Sequence, residues 1–205
     1  MFRSALLSLT LLAAACGDKT FSPGPSAEAS SQQVASSAEA EEAEKNKNIS
    51  QELLDKLKET KDEAEATMLE EEIWDAWLVS GSATVDTLME RGLEYQAHDD
   101  LESARDAFDK AIAILPEYAE GWNRRAVLFF NDGKYDEAIA DLESAITYEP
   151  RHFGAWIGMA MIFESIDSPE AALKAYDKAL EIHPMAQAAV QGKRRLDRVV
   201  NGRAL

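Results

Sequence analysis

Few side chains in this 205-residue chain have the type and spacing that catalysis requires. There is one cysteine, Cys16, and there are three histidines, His98, His152 and His183. None of the histidines lies at metal-ligand spacing from another ligand, and no glycine-rich phosphate loop occurs. The many acidic residues follow positions that we expect to face solvent. We therefore predict no enzyme activity, no cofactor, no metal and no small-molecule substrate, and the reactive group left to explain is the thiol of Cys16.

The first fifteen residues have the features of a secretory signal peptide. Arg3 supplies a positive charge near the start, a mainly apolar run follows over residues 5–15, and small residues end it. A helix that spans a bilayer needs about 20 apolar residues, so this run is too short to do so. We predict a signal peptide at residues 1–15 and export of the rest of the chain.

The end of this run resembles the bacterial lipobox. Ala13, Ala14 and Ala15 precede Cys16, and in bacterial lipoproteins small residues precede the cysteine that receives a diacylglycerol. The pattern prefers leucine where Ala13 stands, and here the leucine lies one residue earlier, at Leu12. The resemblance implies a covalent lipid on Cys16 and a membrane reached through it. Since Ala13 and Ala15 also suit the ordinary signal peptidase, a soluble exported chain is the alternative.

The residues after the cysteine predict a flexible tether over residues 16–48. They are mostly Ser, Ala, Glu, Gln, Pro and Gly, with Phe21 and Val34 as the sizeable apolar side chains. Such a segment cannot bury enough apolar surface to offset the entropy that ordering would cost. The tether would join a lipid to a folded domain. The alternative is a disordered tail without a role, because such a tail has the same composition.

A 34-residue pattern occurs three times between residues 85 and 184. Pro116, Pro150 and Pro184 are 34 residues apart, and apolar residues recur at the same step with the 3.6-residue period of helices. The matching columns are Leu88, Trp122 and Trp156; Gly92, Ala126 and Ala160; Tyr95, Phe129 and Phe163; Ala104, Ala138 and Ala172; Phe108, Leu142 and Tyr176; Ala111, Ala145 and Ala179; and Ile114, Tyr148 and Ile182.

These columns resemble the tetratricopeptide repeat family, with mild departures at Leu88 and Leu142. The resemblance implies an all-α fold, an α-solenoid of helix-turn-helix units at residues 85–118, 119–152 and 153–186. A turn between the two helices of each unit is predicted at Asp99, Gly133 and Asp167, residue types that tolerate the left-handed conformation.

The flanking segments predict helical caps. Residues 49–82 form the predicted N-terminal helical extension, whose stretch from Ile73 to Leu78 should dock on the first unit. Trp74 and Trp77 are then either core of this cap or a possible secondary partner surface. Residues 186–200 form the predicted C-terminal capping helix, because Lys193 and Arg194 interrupt the pattern with charge, and residues 201–205 form a tail.

The family resemblance also implies a concave groove, lined by the first helix of each unit, that binds peptides or partner proteins. We reject the carboxylate clamp that chaperone-binding members use, because Met89, Leu93, Gly154 and Gly158 occupy most of the clamp positions and only Asn123 and Arg124 suit one. We expect an apolar or amphipathic ligand instead. The predicted groove residues are Asp86, Met89, Leu93, Glu120, Asn123, Val127, Phe130, Ile157, Met161 and Glu164.

The net charge of −17 argues against nucleic acid as a partner, since a phosphate backbone requires a basic surface. Residues 185–205 carry a charge of +4, which suits either anionic head groups or the C-terminus of a helix.

The predicted function is a lipid-anchored adaptor of the bacterial cell envelope that faces the periplasm and binds proteins or peptides. Gly17 is not the aspartate that retains enteric lipoproteins in the inner membrane, which favours the outer membrane. The alternative is a soluble periplasmic or secreted, chaperone-like binding protein.

Overall fold

The computed structural model describes residues 27–200 and 202. Within these residues the chain forms nine α-helices and no β-strand, so the predicted all-α solenoid fold is confirmed. The predicted signal peptide, Cys16, the start of the tether and most of the tail lie outside the described residues. The helices are α1 (Ala27–Glu59), α2 (Glu63–Trp77), α3 (Ala83–Ala97), α4 (Leu101–Ile114), α5 (Ala119–Asn131), α6 (Tyr135–Tyr148), α7 (Phe153–Ser165), α8 (Pro169–Ile182) and α9 (Gln187–Val200).

Three helix pairs, α3–α4, α5–α6 and α7–α8, form the repeating units, and small residues let the two helices of each pair approach closely. Ala104, Ala138 and Ala172 hold the same place in the three units, and each is fully buried. In the first unit, a Cβ atom on Gly92 would overlap the ring of Phe108. The small and large columns are therefore packing partners, and substitution at either one disturbs the contact between paired helices.

The turn inside each unit has the conformation that the sequence predicts. Asp99, Gly133 and Asp167 have φ angles of 61°, 71° and 56°. This left-handed conformation ends the first helix and reverses the chain within a few residues. The 34-residue repeat thus extends to the backbone geometry as well as to the core side chains.

The structure differs from the predicted tether over residues 27–48, because these residues are helical and belong to α1. The segment from Ala27 to Glu59 contains no proline or glycine and is rich in alanine and glutamate, which are strong helix formers. Its C-terminal part is anchored by the buried side chains of Leu54 and Leu57. Once a helix is nucleated, each further residue adds one hydrogen bond, so a helix that is fixed at one end extends through residues of high helix propensity.

Helices α1 and α2 pair with each other, and the structure corrects the predicted docking on the first unit. Their buried face consists of Leu53, Leu54, Leu57, Ala66, Leu69, Ile73 and Trp77. It packs against Phe153 and Ile157 of α7, with Ile182 and Met185 beside them. We call α1 and α2 together the N-terminal hairpin. It lies mainly over the third unit, where Gly154 leaves room for the ring of Trp74.

Helix α9 covers the last unit. Ala189 and Leu196 are buried against the core of the second and third units, and a Cβ atom on Gly192 would overlap the ring of Tyr176. Lys193 forms an ion pair with Asp177 of α8. The cations that interrupt the repeat pattern thus lie at the outer end of the array, where α9 closes the core with a polar face.

No helix among the described residues is both long enough and apolar enough to cross a bilayer.

Candidate functional site

The first helices of the three units, α3, α5 and α7, present equivalent residues along one face, and these residues fall into two columns. The first is the buried column, Met89, Asn123 and Ile157. The second, one helical turn further on, is the open column, Leu93, Val127 and Met161. Val127 and Met161 are 38% and 43% exposed, whereas Met89 and Asn123 are only 1% and 6% exposed. Ile157 and Leu93 are both half-buried. The predicted groove is therefore divided lengthwise into a covered half and an accessible half.

The buried column is covered for a different reason in each unit. Met89 packs in the cluster that joins α3, α4 and α5. Asn123 donates a hydrogen bond to the carboxylate of Glu120 at 3.0 Å. Ile157 packs against the N-terminal hairpin. These three predicted groove residues therefore have partners within the chain.

Trp74 places the N-terminal hairpin on this face. Its ring lies so close to α7 that a Cβ atom on Gly154 would come 2.5 Å from Trp74 Cη2. The guanidinium of Arg124 lies 5.6 Å from the ring centroid, a distance at which a cation attracts an aromatic face. The ring of Trp74 thus occupies the space beside α7 that a side chain at Gly154 would fill, and it also contacts Arg124 of α5.

Trp77 lies next to Trp74 and is 8% exposed. Its ring stacks on the imidazole of His152 with centroids 4.2 Å apart, and its carbonyl oxygen accepts a hydrogen bond from the buried hydroxyl of Tyr118 at 2.8 Å. Both tryptophans therefore contribute to the contact between the N-terminal hairpin and the repeats. Of the two interpretations that the sequence allowed, core of the cap or partner surface, the structure shows the core role.

A buried polar network supports this contact. His152 Nδ1 accepts a hydrogen bond from the backbone N–H of Ala155 at 3.1 Å and so caps α7. The Nε2–H of His152 then donates to Glu120 at 2.9 Å, and Arg124 forms an ion pair with the same carboxylate. Burial raises the pKa of Glu120, but its interactions with His152 and Arg124 outweigh this effect, and the pKa lies below its usual value. Glu120 is thus an ionised acceptor shared by three side chains.

The remaining predicted groove residues lie at the ends of this face. Asp86 accepts hydrogen bonds from the backbone N–H and the hydroxyl of Ser80, at 2.7 and 2.5 Å, and closes the turn between α2 and α3. Glu164 accepts a hydrogen bond from the hydroxyl of Tyr176 at 2.5 Å and pairs with Arg195 at 2.9 Å. Phe130 is half-buried against Tyr135. The described residues hold no cluster of three or more His, Cys, Asp or Glu side chains that could bind a metal ion.

Comparison with known proteins places this architecture in a family. The tetratricopeptide repeat model matches residues 119–152 and again residues 153–184. A tetratricopeptide repeat-containing protein of Rhizobium etli is 39% identical over 140 residues, which are 67% of this chain and 67% of that protein. The chain belongs to the tetratricopeptide repeat family. The 34-residue pattern of the sequence and the paired helices of the structure agree with this membership.

Two further tetratricopeptide repeat proteins resemble the chain over a smaller share. The small glutamine-rich tetratricopeptide repeat-containing protein 2 of Saccharomyces cerevisiae is 33% identical over 100 residues, covering 49% of this chain and 29% of the yeast protein. The TPR2B domain of yeast Sti1, solved in complex with pHsp70, superposes with a TM-score of 0.54. It is 26% identical and covers 58% of this chain and 99% of that domain.

Proteins with tetratricopeptide repeats are generally scaffolds rather than enzymes, and the repeats of this chain form a domain of the kind that binds proteins or peptides. The two residues that suited a carboxylate clamp, Asn123 and Arg124, both bind Glu120. They therefore already bind a carboxylate within the chain.

The sequence did not predict the roles of His152 and Arg124. His152 directly precedes α7 and lies 32 residues from Glu120, a position from which its role as a cap could have been inferred. Its contact with Trp77 could not, because it depends on where the N-terminal hairpin lies.

Proposed function

We propose that this chain is a lipid-anchored adaptor of the bacterial cell envelope, which holds partner proteins or peptides against the open column of its tetratricopeptide repeats. The lipid is attached to Cys16, and the chain that follows it carries the repeats away from the membrane on the periplasmic side.

The observation that carries the proposal is the accessible half of the groove. Val127 and Met161 are large apolar side chains at equivalent places in adjacent units, and both are exposed. Leu93 extends the same column into the first unit and is half-buried. Exposed apolar side chains at equivalent places of adjacent units lie along one face, and apolar surface of this kind marks sites where another polypeptide binds.

The covered half of the groove limits what the partner can be. Since the N-terminal hairpin and the Glu120 network occupy the buried column, the partner contacts a strip about one helix face wide. An amphipathic helix meets this requirement with apolar residues at i, i+3, i+4 and i+7. A partner that depends on a free terminal carboxylate would lack its usual basic ligands here.

The adaptor role is tested by photo-crosslinking in the native host. A photoreactive residue at Val127, and a second at Met161, should each capture the same discrete partner. The matched control is Glu143, which is exposed on α6, the second helix of its unit. Equal capture at Glu143, or no shared partner at Val127 and Met161, would contradict binding at the open column.

The anchor is tested by the intact mass of the chain purified from membranes of that host. A mass equal to a chain that starts at Cys16 and carries acyl groups supports the lipid anchor, and Cys16→Ser should then release the protein into the soluble fraction. A soluble chain without acyl groups that starts at or near Cys16 would favour the soluble exported binding protein. An uncleaved chain would contradict export altogether.

A further inference from the structure

A cavity of about 640 Å³ opens at the edge of the repeats, away from the open column. We call it the edge cavity. Its walls come from the end of α2 and the turn after it, from the turn between α4 and α5, from the end of α6 and from the middle of α1.

The edge cavity exposes a column that is covered elsewhere in the same molecule. Ile114, Tyr148 and Ile182 are equivalent residues at the end of the second helix in each unit. In the third unit, Ile182 packs against the leucine-rich core of the N-terminal hairpin. In the first and second units, Ile114 and Tyr148 are 51% and 43% exposed. The chain itself thus shows that an apolar helix can cover this column.

Trp77 also contributes to the wall of the edge cavity. Its side chain is 8% exposed, and its indole Nε1–H is buried within the fold, out of reach of an occupant.

The charge of the edge cavity indicates which polypeptides suit it. Four of the described glutamates line it. Glu120 is paired with Arg124 and Glu149 accepts a hydrogen bond from Gln51, while Glu44 and Glu117 are exposed. Lys47 is the single basic side chain that lines the cavity among the described residues. An occupant with lysine or arginine beside its apolar residues would be attracted, and an acidic one would be repelled.

We propose that the edge cavity is a second docking site, which binds a partner polypeptide segment that carries apolar side chains next to lysine or arginine. Apolar side chains of the segment cover Ile114, Tyr148 and Val79. The basic side chains of the segment lie near Glu44 and Glu117. This site is separate from the open column, so it does not depend on the function proposed above.

The probe is a synthetic amphipathic peptide of about 14 residues, roughly four helical turns, with leucine on one face and lysine on the other. NMR on the full chain follows the indole N–H signals of the four tryptophans, and Trp77→Phe identifies the signal of Trp77. We expect the peptide to move that signal, because Trp77 lines the cavity, and to shift the backbone signals of Ile114 and Tyr148.

Two variants and a second peptide make the result decisive. Ile114→Asp, at an exposed position that should not affect folding, is expected to weaken binding of the lysine peptide about tenfold. Val127→Asp, in the open column, should leave that affinity unchanged. A peptide with glutamate in place of lysine should bind at least tenfold more weakly. Equal binding of the two peptides, an unmoved Trp77 signal, or an affinity that depends on Val127 rather than Ile114 would overturn the proposal.

Discussion

The indole ring of Trp77 lies on the imidazole of His152, with ring centroids 4.2 Å apart and planes inclined by 17°. His152 precedes the first helix of the third unit, and Trp77 ends the second helix of the N-terminal hairpin. The same His152 ring caps α7 and donates to Glu120. One imidazole therefore connects the hairpin, the second unit and the third unit, and the hairpin is integrated into the array rather than attached to its first end.

Gly154 is expected to be required for the contact of Trp74 with α7. In Gly154→Val, the new Cβ atom would displace Trp74, because it would lie 2.5 Å from Trp74 Cη2. We expect a loss of about 1–3 kcal/mol in the free energy of unfolding, as for other overpacked sites, measured by urea denaturation. In a Trp74→Ala background the same substitution should cost much less, and an undiminished cost would show that Trp74 is not the obstacle.

Tyr118→Phe should weaken the attachment of the N-terminal hairpin. The substitution removes the buried hydrogen bond to the carbonyl oxygen of Trp77 and leaves that oxygen without its donor, which typically costs about 0.5–1.5 kcal/mol. Burial raises the pKa of Tyr118 far above its usual value, so the hydroxyl stays a donor at any practical pH. Tyr95→Phe, at an exposed position, is the control and should leave stability unchanged.

Arg125 is expected to hold the first and second units together. Its guanidinium donates two hydrogen bonds to Asp141 of α6, both at 2.7 Å, and one to Asp109 of α4 at 2.6 Å. Arg125→Ala would leave the buried carboxylate of Asp141 without its cation, which should cost about 2–4 kcal/mol in thermal or urea unfolding. Lys110→Ala removes an ion pair that is exposed on both sides and should cost at most about 0.5 kcal/mol.

The stability that Glu120 provides should depend on pH. Its pKa in the folded chain is below the ordinary value of 4.5, so its contribution is complete above about pH 4.5 and is lost as the pH falls through the lowered pKa. We expect Glu120→Gln to cost about 1–3 kcal/mol at pH 7. The difference between the two proteins should shrink on acidification below pH 4.5.

The measurement is the free energy of unfolding across this pH range for both proteins. The hydrogen bond with His183 lowers the pKa of Glu70 as well, but this residue is present in both proteins and cancels in the difference. Glu117→Gln, at an exposed position nearby, is the matched control. A difference between the wild type and Glu120→Gln that does not change with pH would contradict an ionised Glu120 as the buried acceptor.

The sequence was sufficient to predict the helix pairs, the turns at Asp99, Gly133 and Asp167, and the small residues that let paired helices approach. It was not sufficient to predict which groove residues are accessible. Asn123 and Val127 are one turn apart on the same helix, yet Asn123 is buried and Val127 exposed. This difference in exposure arises from Glu120 and from the hairpin, and a periodic sequence pattern does not predict where the hairpin lies.

In a repeat protein each unit contacts its neighbours, so a pattern that recurs every 34 residues encodes both the unit and the way units stack. By itself, the sequence therefore determined the family, the three helix pairs and the C-terminal capping helix. The tertiary structure alone decided that the N-terminal hairpin lies against Gly154 and His152 of the repeats and divides the groove. That contact joins residues far apart in the chain and depends on shape complementarity between surfaces that exist only after the repeats have folded.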